Sequence, residues 1–329
     1  MKRLVFMLVL VALSVLALFQ RMPASAKTPG EYRMVLILPG AISDKGWNAM
    51  NFAGLQAVNK TLGTKMEHVE NVQAADYEST MRNLAEKECD LIMAAGIQFD
   101  KSAAKVAPKF PKTVFCVVNG MTAAAPNVMS ILPKEYEASF LAGIIAGHVT
   151  KSGKIGIAGG KASKTMTRLL NAYEWAARVG RSDLKVTRAY VNSWSDVALG
   201  KQMASSMIDG GADVLFFYAN QVSLGAIQAA KEKGVKYIGF YNDQNDEAPG
   251  TVVASVYFDF PSLYTWVMKK YLDGTLKPVV NEAGIAEGIV KVSYSCEIAP
   301  EIRETVKDAE EAIKNGSVLS FLSGFPEKP

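Results

Sequence analysis

Two tryptophans occupy matching places in the two halves of the chain. Trp47 follows an apolar run, Met34–Leu38, and the turn "PGAISDKG"; Trp194 follows a second apolar run, 185–191, within "NSWSD". Each stands where a strand has just ended and a helix is about to begin, and each has an amide close by, Asn48 in the first case and Asn192 in the second. A flat ring can stack on a planar heterocycle at ~1–3 kcal/mol per face. An adjacent amide, which both donates and accepts, can read the edge of such a guest. The competing reading for either tryptophan is a hydrophobic staple or a wedge between packed elements.

Loops after the other candidate strands carry related groups. Gly96, Gln98 and Phe99 stand in "GIQFD", Asn119 in "NGM", Tyr218 and Asn220 in "YANQ", and Tyr241 and Asp243 in "YNDQND". Phe99 suits a core equally well, and Tyr218, closing an apolar strand, suits either role. Asp44 and Asp196 stand where helix caps belong, so capping is as good an explanation for each as ligand contact. Asp243, Asp246 and Glu247 read as a solvated face with one functional acid.

Catalytic patterns are missing from these loops. His68 and His148 are the only histidines, and neither adjoins a Gly-x-Ser-x-Gly turn. Cys89, Cys116 and Cys296 are odd in number and far apart without a C-x-x-C pair, so no metal site and no disulfide is expected. Gly159-Gly160 in "GIAGGK" resembles a phosphate-cradling turn but lacks a complete dinucleotide or Walker pattern. Amides and aromatics without an acid, base or nucleophile at reactive spacing suit recognition rather than reaction. The expectation is a binding protein that is no enzyme and uses no cofactor.

The elements that must position these groups alternate along the chain. Near-continuous Val/Ile/Leu runs such as "LIMAA" and "VLFFY" alternate with amphipathic segments of helical length, which predicts parallel sheets covered on both faces. The fold class is therefore α/β, doubly wound, and the pattern occurs twice, with Lys151-Ser152-Gly153 as a polar joint. The roughly 300 residues beyond position 26 also exceed what one core carries. The expected lobes are 31–150 plus about 254–278, and 151–253 plus about 279–329. Ligands of open α/β sheets sit beyond the carboxyl ends of the strands, so two such lobes define an interdomain cleft.

The first 26 residues have a basic start, an apolar run Leu4–Phe19 and the small-residue site Ala24-Ser25-Ala26, which predicts a signal peptide cleaved after Ala26. No cysteine follows the run, so no lipid anchor is expected. Losing Lys2, Arg3 and Arg21 takes the formal charge from +4 to +1, and nothing then calls for nucleic acid as a partner.

The segments "LPGAISDKGWNAMNFAGL", "EYEASFLAGIIAGHVTKSGKIGIAGGK", "NSWSD", "KQMASSMIDGGADVLF" and "GAIQAAKEKGVKYIGFYNDQ" together resemble the basic membrane protein family of solute receptors. The likeness covers nearly the whole chain beyond residue 26. It implies a type I periplasmic-binding-protein fold and an extracytoplasmic, monomeric receptor that delivers a purine or nucleoside to an ABC permease. It further implies that Trp47 and Asn48 hold the base, that Trp194 stacks on its other face and that Gly96–Phe99 line the pocket floor. Where the family holds ribose with an acid and a lysine, this chain has Tyr241 and Phe258. Both departures favour a free purine base over a nucleoside. A sugar receptor of the same fold, a secreted nucleoside-processing enzyme and a sensor for a membrane partner are the alternatives.

Overall fold

The computed structural model describes residues 27–318 apart from Lys45, Ala125 and Gly180. The expected signal peptide lies outside the described residues, as does the chain beyond residue 318. Two six-stranded sheets form two lobes. The first is built from β1 (Met34–Ile37), β2 (Glu67–Val69), β3 (Leu91–Ala95), β4 (Val114–Val118) and β5 (Val128–Pro133), with α1 (Trp47–Leu62), α2 (Tyr77–Glu86) and α3 (Asp100–Val106) between them. The chain then enters α4 (Glu135–Val149) and alternates through β6 (Lys154–Gly159), α5 (Lys164–Arg178), β7 (Lys185–Tyr190), α6 (Val197–Asp209), β8 (Val214–Tyr218), α7 (Val222–Lys233), β9 (Lys236–Tyr241) and β10 (Val252–Phe258). It finishes with α8 (Phe260–Leu272), β11 (Val280–Ala283), β12 (Val290–Tyr294) and α9 (Pro300–Lys314).

The strand order is β11-β5-β4-β3-β1-β2 in the first sheet and β12-β10-β9-β8-β6-β7 in the second. Central strands β1 and β3 are buried at every residue, as a strand covered on both faces must be. Edge strands β2 and β7 are instead partly exposed and polar, which discourages further pairing. Every pairing in the first sheet is parallel, and in the second only β12 runs antiparallel, against β10.

The lobe boundaries differ from the sequence expectation in three places. Helix α4 already packs on the second sheet, against β8, β9 and β10, so the first crossing falls at Lys134 rather than at the joint 151–153. Strand β10 is bonded to β9, with Val256 beside Phe240, and only α8 returns to pack on α1, which moves the second crossing to Asp259. The segment from about 279, expected wholly in the second lobe, first adds β11 to the first sheet and only after the turn 284–289 adds β12 to the second. The reason for the first error is physical. Residues Glu135–Ala146 of α4 are all buried, and a helix buried all round has no solvent face to show which sheet it covers.

Helix α4 is also clamped along its length by α5. A Cβ on Gly143 would stand 2.3 Å from the Tyr173 carbonyl oxygen, and one on Gly147 would stand 2.4 Å from that of Ala177. Both obstacles are backbone and cannot swing aside. Gly143→Ala should therefore lower unfolding free energy by about 1–3 kcal/mol in urea titration of the whole protein. An unchanged midpoint would show that the two helices separate freely.

Candidate ligand-binding cleft

Three adjoining cavities lie between the lobes, at the carboxyl ends of both sets of strands. The central one, about 210 Å³, is lined by Trp47 from the first lobe and by Trp194, Phe217, Tyr218, Ala219, Asn220, Ser223, Phe240 and Tyr241 from the second. No charged side chain among the described residues lines it. A second, about 340 Å³, shares Trp194 and Tyr218 and adds Asn119 and Met121 from one lobe and Glu135, Ser163 and Arg168 from the other. A third, about 410 Å³, shares Trp47, Asn220, Ser223, Phe240 and Tyr241 and opens past Asp44, Met50 and Glu247.

Trp47 is the first residue of α1, and the loop before it fixes where it points. The Asp44 carboxylate accepts the backbone N–H groups of Gly46, Asn48 and Ala49 at 2.8–3.0 Å, satisfying the helix's free amino end. It also accepts the Asn48 side-chain amide at 2.7 Å, while Asn48 Oδ1 accepts the Gly40 N–H at 3.1 Å. Burial pushes the Asp44 carboxyl up, but the N–H groups of Ala49, Asn48 and Gly46 outweigh it and leave it below the usual carboxylate range. The indole N–H of Trp47 donates to the Ala95 carbonyl at 3.0 Å, and the ring stands edge-on to Phe260 with centroids 5.5 Å apart. With its N–H engaged, this indole offers the cavity apolar surface.

The second lobe answers with four rings. Trp194, 36% exposed, lies over Gly160, where a Cβ would stand 2.5 Å from the indole. That close approach accounts for Gly160, while a Cβ on Gly159 would stand 2.6 Å from the Met166 side chain. The Tyr218 hydroxyl donates to Glu135 Oε1 at 2.6 Å, and its ring lies 4.4 Å from that of Phe240. Tyr241 has φ 83°, a left-handed conformation that a bulky residue adopts only under constraint from its surroundings. It is braced by Phe240, Phe258 and Phe260 at 5.8–6.4 Å and leans toward Trp47 at 6.3 Å.

Of the residues singled out from sequence, Asp44, Trp47, Asn119, Trp194, Tyr218, Asn220 and Tyr241 line these cavities. Eight others do not. Asn48 is turned inward to its loop. Phe99 is fully buried against Tyr77 in the core of the first lobe, 4.0 Å between centroids, so of the two roles open to it the core is the one it takes. Gly96 supplies φ 131°, which suits glycine alone, and exposed Gln98 folds back over it. Asn192 is exposed and holds a left-handed turn, φ 61°. Exposed Asp243 closes a local turn by accepting the Asn245 N–H at 3.1 Å, and Asp196 caps α6 through the Leu199 N–H at 3.0 Å. Phe258 is buried beneath Tyr241 rather than in the cavity wall.

Glu135, Phe240 and Ser223 were missed. Glu135 opens α4 and is only 8% exposed, and burial pushes its carboxyl up to about 7 even though the Tyr218 hydrogen bond pulls it down. The available signal was an acid in the first turn of an otherwise apolar helix, which reads as ordinary dipole compensation.

A family model described as Bmp, ABC transporter substrate-binding protein PnrA-like, matches residues 32–320. A purine-binding protein of Brucella abortus is 27% identical over 300 residues, covering 90% of this chain and 85% of its own. An ABC transporter nucleoside-binding protein of Lactococcus lactis is 26% identical over 254 residues, covering 71% of this chain and 72% of its own. Among solved structures, an ABC transporter solute-binding protein of Aeropyrum pernix superposes with a TM-score of 0.70 at 20% identity, covering 87% of this chain and 92% of its own, a likeness of fold. The two parallel-sheet lobes are those of type I periplasmic binding proteins.

Because the folded carboxyl of Glu135 holds its proton more tightly than an unfolded one, its contribution to stability is full below about pH 4.5 and is lost as pH rises through about 7. Glu135→Gln lacks that dependence. Its stability relative to wild type should grow by up to roughly 3 kcal/mol between pH 4.5 and pH 8 in urea titrations. Parallel curves for the two proteins would contradict the assignment.

Proposed function

The chain belongs to the Bmp family of PnrA-like ABC transporter substrate-binding proteins, and on that premise we propose that it captures a flat, uncharged heterocycle, a purine base, between its lobes and delivers it to a membrane permease. Substrate-binding proteins of such importers work outside the cytoplasm. In this reading residues 1–26 are removed on export and the protein is a periplasmic monomer. The observation that carries the ligand class is the central cavity. Its lining is aromatic with a few hydroxyls and amides and without a charged side chain, and it receives an indole from each lobe. Closure of the lobes would bring the faces of Trp47 and Trp194 onto the two sides of the guest.

The Brucella relative is a purine-binding protein by name and the Lactococcus relative a nucleoside-binding one, so both ligand classes stay within reach of the family. Two residues favour the free base here. Tyr241 and Phe258 stand where the resemblance implies an acid and a lysine for ribose, and they meet ring to ring at 5.8 Å. One feature favours a nucleoside, namely the 340 Å³ cavity beyond Trp194, which offers room for a sugar.

Isothermal titration of the purified protein with adenine, guanine, hypoxanthine and their nucleosides tests the reading. Bases should bind more tightly than the matching nucleosides. Trp47→Ala and Trp194→Ala should each weaken the best-bound base about 5- to 100-fold, the loss of one stacking face. Binding of a sugar with no response to any purine compound would refute the proposal.

A further inference from the structure

Stacking faces hold a planar guest without choosing among guests of similar shape. Choice needs a polar group at the ring's edge, and the central cavity offers few. Where it meets the larger cavity, however, Tyr218 lines both, and its hydroxyl is joined to the carboxyl of Glu135. We propose that Glu135, held in place by Tyr218, is the residue that sets base specificity, accepting a hydrogen bond from an N–H on the edge of the bound ring. The assignment rests on the purine reading above and adds the group that discriminates among purines.

Three observations support it. First, the acid is nearly buried yet lines the 340 Å³ cavity, alongside Asn119 of the opposite lobe. Second, Tyr218 engages Oε1, and among the described residues no hydrogen bond reaches Oε2. Burial pushes the Tyr218 hydroxyl well above its ordinary value, so it stays protonated and is a constant donor at any neutral pH. The Tyr218 bond therefore holds one carboxyl oxygen, and on this proposal the other meets the edge of the ligand. Third, burial raises the Glu135 carboxyl to about 7, which means that its ionised form is short of hydrogen-bond partners. A ligand N–H supplies one. Glu282, Lys164 and Arg168 also line the larger cavity, but Glu135 is the acid there that is bonded to Tyr218, the residue shared with the central cavity.

The isosteric variant Glu135→Gln tests this because Tyr218 dictates how the amide lies. The tyrosine O–H needs an acceptor, so the glutamine oxygen takes the place of Oε1 and the amide N–H₂ faces the cavity. The cavity-facing atom changes from acceptor to donor with no change of shape. Binding of adenine, guanine and hypoxanthine would be measured by isothermal titration for wild type, Glu135→Gln and Tyr218→Phe, with thermal melts confirming that each variant is folded. The expected result is a loss of about 10- to 100-fold for the base that wild type prefers, the size of a hydrogen bond to a charged group, together with a changed order of preference. Tyr218→Phe should weaken binding while keeping the wild-type order, since the carboxyl stays an acceptor but is no longer held. If Glu135→Gln binds every base as wild type does, or loses all of them by the same factor, the assignment is overturned and the purine reading stands. If wild type binds none of the bases, the purine reading is overturned and the assignment falls with it.

Discussion

The Glu137 carboxylate accepts the backbone N–H of Ile285 at 2.7 Å inside the protein, and this bond ties the first chain crossing to the third. Its neighbourhood is built around that acid. The Lys134 N–H donates to Ala283 O and the Asp259 N–H to Ile289 O, both at 2.8 Å, so all three crossings are laced together by main-chain bonds. Lys134 Nζ lies 3.6 Å from the other carboxylate oxygen, and a Cβ on Gly284 would stand 2.1 Å from Glu137 Oε2. A buried acid lacking these partners would be strongly destabilising. The two sheets are thus joined at a narrow, well-bonded seam, and the cleft with its aromatic walls depends on where that seam holds them.

The seam and the cleft share one helix. Glu135 and Glu137 lie two positions apart at the start of α4, and one is bonded to the crossings while the other lines the cleft. Since α5 is clamped onto α4 by backbone contact at Gly143 and Gly147, the residues at the start of α5 that line the larger cavity move with it. The two helices of the second lobe that border the larger cavity therefore move as one body, and a large change in the cleft has to come from the angle between lobes.

Much of this was legible in the sequence. The doubly wound alternation, the runs of β3 and β8, and the two tryptophans at equivalent strand ends follow from periodicity and from glycine and proline punctuation. The amides misled in part. Asn119, Asn192 and Asn220 all have φ between 48° and 61°, and asparagine is favoured there because its short polar side chain tolerates left-handed backbone. The same residue type thus marks a turn as readily as a ligand contact, and Asn192 does only the former. Tyr241 takes a comparable backbone conformation without the chemical excuse, which is the stronger signal, but a one-dimensional pattern does not carry φ. Glu135 was hidden because its partner Tyr218 lies 83 residues away.

Because Trp47 is anchored through its nitrogen to Ala95, the first lobe presents an indole plane that is already held in the empty protein. Its orientational entropy is already given up in the empty protein. Trp194, 36% exposed, is less tied down and, in the proposed reading, is the ring that adjusts. Recognition of the proposed kind would be lopsided, with a fixed anvil on one side and a more mobile hammer on the other.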